Sequence, residues 1–328
     1  MTGTPIEVPE SFALSTVQRE GERGRAWLAT LPELAGDLLR RWKCEPTEAV
    51  THGQVGIIVP VRRTHDGMPA VLKISFPHPG NVHEPDAFAV WSGRGAVRLY
   101  ERDDARFAML LERAGAAAGA GGGSLADVED TDEAVAVVGR LARRLAVPAP
   151  PGLPRMSSLV AEWECELRDE DRELGSPLPA RVVAAAIGTV RELGRDQPDT
   201  LIHGDLHFTN VLRSERPEGS EGAERSEGSE GPERDPWLAI DPKGYVGDPA
   251  YDSITLLRSR FEPLLTAPDP RAAALRRLAV FADAAEVDRE RARRWAQARA
   301  VTAAHWGMRH GDPAWMVKAT EALAEALT

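Results

Sequence analysis

The hydrophobic residues change their spacing along the chain, and this change limits the folds that the chain can adopt. Between residues 55 and 112, short segments rich in β-branched residues are separated by turn signals, which is the pattern of strands. From about residue 131 onward, apolar residues recur at three- and four-residue steps, which predicts helices. We therefore predict an α+β fold, in which a small antiparallel sheet precedes a mainly helical part.

The strand region is predicted to hold four strands and one short helix. The strands are "VGIIVPVRR" (55–63), "PAVLKIS" (69–75), "AVRLYE" (96–101) and "RFAMLLE" (106–112). The "HDG" at 65–67 predicts a hairpin turn, and "VHEPDAFAVW" predicts the helix. The first fifty residues are predicted to be helical, because leucines and tryptophans in "GRAWLATLPELAGDLLRRW" follow a helical spacing.

The second part of the chain is predicted to be a helical lobe. One apolar stripe contains Val135, Val138, Leu141 and Leu145, and another contains Val183, Ile187, Val190 and Leu193. Helices are also predicted from about residue 271 to the end, with Trp295 and Trp306 in the core. The glycine-rich segment "AAAGAGGGS" (116–124) separates the two parts. We predict an N-terminal lobe over 1–113 and a C-terminal lobe over 114–328.

Charge and cysteine content narrow the possible partners. The net charge of −11 argues against a nucleic-acid partner, since phosphate groups are bound by surplus Lys and Arg. Cys44 and Cys165 are too few for a disulfide framework or a four-thiolate zinc site, which favours a reduced, cytoplasmic setting. The chain shows neither a signal peptide nor a long apolar run, so no membrane association is expected. No feature predicts an obligate protein partner.

One low-complexity segment interrupts the helical part. Residues 214–234, "SERPEGSEGAERSEGSEGPER", are a seven-fold tandem repeat of a tripeptide with Glu in the middle. With so few apolar residues, we predict a disordered surface insertion over 214–235. Without it, the apolar segments on either side would form a β-hairpin, and this hairpin would bring the segments around Asp205 and Asp241 side by side.

The segment "LIHGDLHFTN" (201–210) permits two kinds of chemistry. His203 and His207 have the spacing of a helical zinc pair, but that motif needs a helix and a Glu between the two histidines. Gly204 and the strand-like start of the segment argue against a helix. His203 is then interpreted as a loop histidine that supports the backbone, and His207 as a partly exposed or substrate-lining residue.

The second possibility is phosphoryl transfer. A kinase needs a carboxylate to accept the hydroxyl proton of its substrate, and oxygen ligands for the metal that binds the nucleotide phosphates. Asp205, Asn210 and Asp241 have the order that these groups have in protein kinases, with Asp205 as the base. Asn and Asp supply the hard oxygen atoms that magnesium prefers.

The strand region supplies candidates for nucleotide binding. Lys73 lies within the apolar strand "PAVLKIS", where a lysine is costly unless it is paired or reaches a cleft. Glu84 on the following helix is either its ion-pair partner or a solvated carboxylate at a helix start. "MLLER" is similar to a kinase hinge, which makes Glu112 a candidate for contacting the nucleotide through its backbone.

Taken together, these motifs resemble the aminoglycoside phosphotransferases, and within them the streptomycin 6-phosphotransferase and hydroxyurea kinase branch. The resemblance spans nearly the whole chain, through "GRAWLATLP", "VLKIS", "MLLER", "VPAPPGLP", "LIHGDLHFTNVL" and "WLAIDPKGYVGDPAYD". It implies a bilobal protein-kinase-like fold, ATP as donor, Mg2+, and a small hydroxylated antibiotic as acceptor.

By position, the resemblance implies a role for each matching residue. Asp205 matches the catalytic base, Asn210 and Asp241 the metal ligands, Lys73 the phosphate-contacting lysine, and Asp252 an acid that braces the catalytic loop. Two features depart from the family pattern. The segment "THGQVG" is not a full G-x-G-x-x-G loop, so the cover over the phosphates is expected to be looser, and the glutamate repeat has no family counterpart.

The sequence does not decide which acceptor molecule is phosphorylated. Streptomycin carries two guanidinium groups, which carboxylates would bind. The acidic segment "AEWECELRDEDRE" (161–173) is either part of such a pocket or a solvated helix face. Hydroxyurea is small and neutral and needs no acidic pocket. A metabolic kinase acting on a sugar or an amino alcohol, and a nucleotide-binding protein without turnover, are the alternatives.

Overall fold

The computed structural model of the chain describes residues 6–115, 123–215, 236–254, 259–260, 263–264 and 266–328. Residues 216–235 of the predicted disordered insertion and residues 116–122 of the glycine-rich connection lie outside these residues, whereas Ser214 forms a β-bridge with Ala114. Within the described part, no helix is long and apolar enough to cross a membrane.

The N-terminal part is built on an antiparallel sheet. Its strands are β1 (Cys44–Pro46), β2 (Thr51–His52), β3 (Gly56–Arg63), β4 (Pro69–Ser75), β5 (Leu99–Asp103) and β6 (Ala108–Glu112). The strand order is β1-β3-β4-β6-β5, and β2 also pairs with β3. The predicted turn at 65–67 joins β3 to β4, where the Gly67 N–H donates to the Arg63 carbonyl oxygen at 2.8 Å. Short 3-10 segments cover Pro79–Asn81 and Asp104–Arg106.

Two helices pack with this sheet: α1 (Glu10–Arg41) and α2 (Glu84–Trp91). Helix α1 is broken at Gly21, which has φ 60° and ψ −135°. The rings of Phe12 and Trp27 lie 6.0 Å apart across the break, whereas fifteen residues of straight helix would span about 22 Å. The two segments of α1 therefore fold back on each other.

The C-terminal part is mainly helical. Its helices are α3 (Thr131–Leu145), α4 (Met156–Glu173), α5 (Ala180–Leu193), α6 (Pro270–Ala285), α7 (Arg289–His310) and α8 (Ala314–Ala326). Short strands are β7 (Val147–Pro148), β8 (Thr200–Ile202), β9 (Val211–Arg213), β10 (Trp237–Ala239) and β11 (Tyr245–Val246), and 3-10 segments cover Leu125–Asp127, Phe208–Asn210 and Pro249–Ile254. Strands β9 and β10 pair antiparallel, as the flanks of the repeat predicted.

Three groups of buried side chains form the core. One lies between α1 and the sheet, and another lies among the C-terminal helices. The third joins the two parts, because Phe88 and Trp91 of α2 are buried together with Val135 of α3 and with Phe208 and Trp237 beside the β9–β10 hairpin. Helix α2 is thus packed directly on the segment that carries the predicted catalytic residues.

Three predictions about the fold were wrong. The helical start does not reach residue 50, because Cys44–Pro46 pairs with β3. The third strand begins at Leu99 rather than Ala96, since the Val97 N–H donates to the carbonyl oxygen of Ala239 instead of joining the sheet. Trp306 is 49% exposed and is not a core residue, whereas Trp295 is buried.

Candidate active site

Asp252 holds the loop that follows β8. Its carboxylate accepts hydrogen bonds from the backbone N–H groups of His203, at 3.2 Å, and Gly204, at 2.8 Å. The side chain is buried, and this burial raises its pKa to about 7 against the opposing effect of the two N–H donors and Arg299. The loop from His203 to His207 is therefore held in place by the carboxyl group of Asp252, which lies on the Pro249–Ile254 segment.

His203 is part of the same support. Its Nδ1 accepts from the Asp205 N–H at 3.2 Å, so the hydrogen is placed on Nε2, which donates to the Ile240 carbonyl oxygen at 2.8 Å. Burial lowers the pKa of His203 to about 4, which keeps the ring neutral. Both ring nitrogens are engaged with the backbone, and this geometry fits the supporting role rather than metal binding. Among the described residues, no group of three or more His, Cys, Asp or Glu side chains is placed to hold a metal ion.

Gly204 permits a close approach at the centre of the loop. It has φ +83°, in the left-handed region. A Cβ atom at this position would lie 2.8 Å from the ring of Tyr245 and 3.0 Å from the Cβ of Lys243. A larger residue would therefore displace Lys243 and Tyr245 from the neighbourhood of Asp205.

The carboxylate of Asp205 is partly exposed. Its Oδ2 atom is 3.9 Å from His207 Nε2 and 3.9 Å from Lys243 Nζ. Burial acts to raise the pKa of Asp205, but the interactions with His207, Lys243 and Arg299 outweigh it and lower the pKa below its ordinary value. Asp205 is therefore ionised at neutral pH, as a group that accepts a proton must be.

The β9–β10 hairpin places Asn210 next to Asp241. Ala239 faces Val211 in the register, and the Ile240 N–H donates to the Asn210 carbonyl oxygen at 2.9 Å. The Asn210 amide donates to the Asp205 carbonyl oxygen at 2.9 Å, which leaves its side-chain oxygen as an acceptor. The two oxygen donors assigned to the metal thus come from residues that are fixed to each other through the backbone.

Lys73 connects the sheet to this group. Its Nζ donates to Glu84 Oε1 at 2.5 Å and to Asp241 Oδ1 at 2.6 Å. Burial acts to lower the pKa of Lys73, but the two carboxylates outweigh it and raise the pKa, while Lys73 holds the pKa of Asp241 below its ordinary value. The predicted nucleotide residues Lys73 and Glu84, which are both buried, therefore meet the half-exposed Asp241 in one ion-pair group.

Glu112 ends β6 and is buried. Its Oε2 accepts from the Arg98 N–H at 2.9 Å, and its own N–H donates to the Arg98 carbonyl oxygen at 2.8 Å. Because the side chain is turned toward Arg98, a contact between this segment and a nucleotide would come from the backbone. Glu112 stays a prediction in that respect.

A cavity of about 630 Å³ opens beside Lys243 and runs between α4, α7 and α8. Aromatic residues Trp163, Tyr251, Trp295 and Trp306 line it, together with the carboxylates of Glu166, Glu170 and Asp312. Glu166 and Glu170 belong to the acidic segment of α4, so part of that segment faces the cavity. Burial and the neighbouring Glu162 and Glu170 raise the pKa of Glu166.

The sequence did not single out Lys243, Arg299 or Asp312. Arg299 interacts with the charge of Asp205 and donates to the Tyr251 hydroxyl. Lys243 carries the one available signal, since it stands two residues after Asp241. Arg299 and Asp312 lie on or just after α7, where only the packing of three helices determines which residues face the cavity.

Residues 41–311 match the family model described as aminoglycoside/hydroxyurea antibiotic resistance kinase. The chain is 34% identical to a streptomycin 6-kinase of Streptomyces glaucescens over 99% of this chain and 98% of that protein. It is 31% identical to a hydroxyurea phosphotransferase of Kitasatospora aureofaciens, over 99% of this chain and 87% of that protein.

Solved structures show the same fold. One is the aminoglycoside phosphotransferase APH(4)-Ia, in a ternary complex with ADP and hygromycin B, with a TM-score of 0.53 and 14% identity over 89% of this chain and 97% of that chain. Another is an ethanolamine kinase of Plasmodium vivax, with a TM-score of 0.50 and 12% identity over 98% of this chain and 94% of that chain. The predicted kinase-like architecture is therefore confirmed.

Proposed function

The chain belongs to the aminoglycoside/hydroxyurea antibiotic resistance kinase family, and we propose that it phosphorylates a hydroxyl group of streptomycin with ATP as donor. The observation that carries the proposal is the position of Asp205. Its Oδ2 atom lies 3.9 Å from the Nζ of Lys243, which lines the acidic, aromatic cavity, and its carbonyl oxygen accepts from Asn210, which the hairpin places beside Asp241 of the ion-pair group. This arrangement suits an enzyme that transfers a phosphoryl group from a nucleotide to a cationic acceptor.

Asp205 acts as the general base. Its lowered pKa keeps the carboxylate ionised, and it accepts the proton of the acceptor hydroxyl as the oxygen attacks the γ-phosphorus of ATP. The hydrogen bonds of Asp252 and His203 to the loop backbone fix the direction of this carboxylate. Asp205 thus positions the hydroxyl as well as deprotonating it.

Asn210 and Asp241 would hold Mg2+. The side chains of these residues fit this ion, because one amide oxygen and one carboxylate are the hard ligands that magnesium takes alongside phosphate oxygens and water. When bound, the ion neutralises negative charge on the nucleotide phosphates. Lys73, held in place by Glu84, contacts the same phosphates from the sheet.

Streptomycin is favoured over hydroxyurea by the charge and size of the cavity. The carboxylates of Glu166, Glu170 and Asp312 line it, and the cationic Lys243 and Arg299 line it as well. Guanidinium groups bind carboxylates and stack on aromatic rings such as Trp163 and Trp306. A small, neutral acceptor would not use the negative charge of this lining, in which Glu166 and Asp312 face the cavity and Glu170 lies 3.5 Å from Arg309.

The test is acceptor-dependent ADP release by the purified full-length chain with ATP and magnesium. Streptomycin, hygromycin B, ethanolamine and hydroxyurea are compared side by side. We expect turnover with streptomycin that exceeds the others by at least about tenfold. Turnover restricted to ethanolamine would support a metabolic kinase instead. Nucleotide binding without release of ADP for any acceptor would support a non-catalytic protein.

A further inference from the structure

Lys243 lies in the cleft between the two parts of the protein. Its Nζ is 3.9 Å from Asp205 Oδ2, and its side chain is 35% exposed. An atom at the Cβ position of Gly80, in the 3-10 segment of the N-terminal part, would lie 3.8 Å from this nitrogen. The ammonium group is therefore bounded by the catalytic loop on one side and by the N-terminal part on the other.

The backbone fixes the base of this side chain. The Lys243 N–H donates to the carbonyl oxygen of His203 at 2.7 Å. Gly204 has no side chain, and this allows the Lys243 Cβ to come close to the loop. The position of Lys243 next to Asp205 is thus built by the same contacts that position the base.

The charge of Lys243 acts on the three carboxylates of the reaction region. It lowers the pKa of Asp205 and of Asp241, and it opposes the effect of burial on the pKa of Glu84. Lys73 is buried and bonded to both Glu84 and Asp241. Lys243 is more exposed and borders the acceptor cavity as well, so its ammonium group has access to the space between Asp205 and Asp241.

We propose that Lys243 is a further catalytic residue whose ammonium group contacts the γ-phosphoryl group while it is transferred. The inference rests on the proposed kinase function. In the step, the acceptor oxygen forms a bond to the γ-phosphorus, and the bond from that phosphorus to the bridging oxygen breaks. The electron pair leaves with ADP, the hydroxyl proton goes to Asp205, and Lys243 stays protonated throughout.

The reason for a cation at this place is the charge that moves during transfer. Negative charge spreads over the oxygens of the phosphoryl group midway between donor and acceptor. The ion pairs with Glu84 and Asp241 hold Lys73 on the side of the nucleotide. A flexible lysine with one exposed ammonium group is suited to follow the phosphoryl group toward the acceptor.

The experiment compares Lys243→Met and Lys243→Arg with the wild type and with Lys43→Met. Lys43 is exposed at the end of α1, so Lys43→Met is a matched change of charge away from the cleft. The affinities for AMP-PNP and ADP are measured by calorimetry with magnesium, together with kcat and KM for streptomycin. Thermal unfolding shows whether each variant is folded, and methionine retains the aliphatic contact with Gly204.

For Lys243→Met we expect about a tenfold loss of affinity for AMP-PNP, less than about a twofold change for ADP, and a loss of kcat of about 10²–10³. The kcat of Lys243→Arg should be at least about tenfold higher than that of Lys243→Met, and Lys43→Met should match the wild type. Equal effects on AMP-PNP and ADP would overturn the proposal, since Lys243 would then act on the nucleotide only through the fold.

The nucleotide measurement needs no acceptor, so it separates this inference from the proposed function. Discrimination between AMP-PNP and ADP that depends on Lys243 would support the contact even if streptomycin were the wrong acceptor. If turnover were found with streptomycin but Lys243→Met kept the wild-type kcat, the proposed function would stand and the role of Lys243 would fall.

Discussion

Lys73 and Asp241 are joined by a hydrogen bond of 2.6 Å although they lie 168 residues apart in the chain. The bond connects the central strand region of the sheet to the residue that follows β10. Since Glu84 holds the same ammonium group at 2.5 Å, one buried cation links two carboxylates from different parts of the fold. The orientation of the nucleotide-binding side relative to the catalytic loop depends on this link.

Glu84→Gln is expected to weaken the link without removing Lys73. Lys73 would then be held by Asp241 alone, so its ammonium group would be drawn toward Asp241 and away from the phosphates. The buried charge of Lys73 would also lose one of its two partners. We expect KM for ATP to rise about tenfold and the free energy of unfolding to fall by about 3 kcal/mol. Steady-state kinetics and urea unfolding measure both. The exposed Glu101→Gln is the control, and an unchanged KM would contradict the role of Glu84.

Asp205→Asn is expected to remove the proton acceptor while the loop keeps its shape. The loop is held by Asp252 and His203, and neither contact uses the Asp205 carboxylate. We expect kcat to fall by about 10²–10⁴ and ADP affinity to change by less than about twofold. Acceptor-dependent ADP release and calorimetry measure these. The exposed Asp196→Asn should behave as wild type, and full turnover by Asp205→Asn would exclude it as the base.

Asp252 and His203 are expected to give opposite pH dependences to stability. His203, with its pKa lowered to about 4, adds stability that is complete above its ordinary pKa near 6.5 and is lost as the pH falls toward 4. Asp252, with its pKa raised to about 7, adds stability that is complete below its ordinary pKa near 3.8 and is lost as the pH rises through 7. Between pH 4 and 6.5 the two effects partly cancel.

Asp252→Asn should expose the effect of His203. From pH 4.5 to 6.5, the unfolding free energy of this variant should rise more steeply than that of the wild type, by up to about 1.4 kcal/mol per pH unit. Urea unfolding at three pH values in this window measures the difference. The exposed Asp199→Asn should run parallel to the wild type. A parallel profile for Asp252→Asn as well would show that Asp252 is ionised in the folded protein.

Shortening the β9–β10 connection is expected to leave the chemistry intact. The Ser214 N–H donates to the Pro236 carbonyl oxygen at 2.6 Å, so the chain crosses from one strand to the other at this point. Replacing residues 215–235 with Asn-Gly leaves a two-residue hairpin turn between Ser214 and Pro236. We expect kcat/KM within a few-fold of wild type and a slightly higher Tm. A loss of turnover in a folded variant would assign the repeat a function.

The paired change Glu166→Gln and Glu170→Gln is expected to act on streptomycin alone. Both side chains line the cavity, and the change removes two negative charges without altering volume. We expect KM for streptomycin to rise at least about tenfold, with KM for ATP unchanged. Any turnover of hydroxyurea should be unaffected. Asp169→Asn, on the exposed face of the same helix, is the matched control. An equal effect from this change would show that the overall negative charge of the helix matters, and not direct contact of Glu166 and Glu170 with streptomycin.

Local patterns predicted the parts of the fold that local residues determine. Strand β4 matches "PAVLKIS" residue for residue, because alternation and turn chemistry at both ends specify it. The break in α1 was missed, since an isolated glycine such as Gly21 is compatible with a continuous helix. Val97 was placed in the sheet because its apolar character suits a strand, but its backbone partner Ala239 is distant in the sequence.

Trp306 shows why the cavity was missed. It lies eleven residues after Trp295, so the two rings are on nearly the same face of α7. The face is the same, but the neighbours differ, since the 3-10 segment with Tyr251 covers Trp295 and the cavity opens at Trp306. Helical periodicity gives the face of a residue, whereas burial depends on what packs against that face. The predicted roles of Asp205, Asn210 and Asp241 rest on their order along the chain, which needs no knowledge of the packing.

The β9–β10 hairpin keeps the variable repeat apart from the two predicted metal ligands. Asn210 and Asp241 flank the open end of the strand pair, and the repeat belongs to the connection at the closed end, beyond Ser214 and Pro236. Replication slippage could add or remove triplets there without moving either oxygen ligand. A sequence pattern that fixes the interval between Asn210 and Asp241 would therefore miss a chain with a repeat of another length, even if that chain kept both residues.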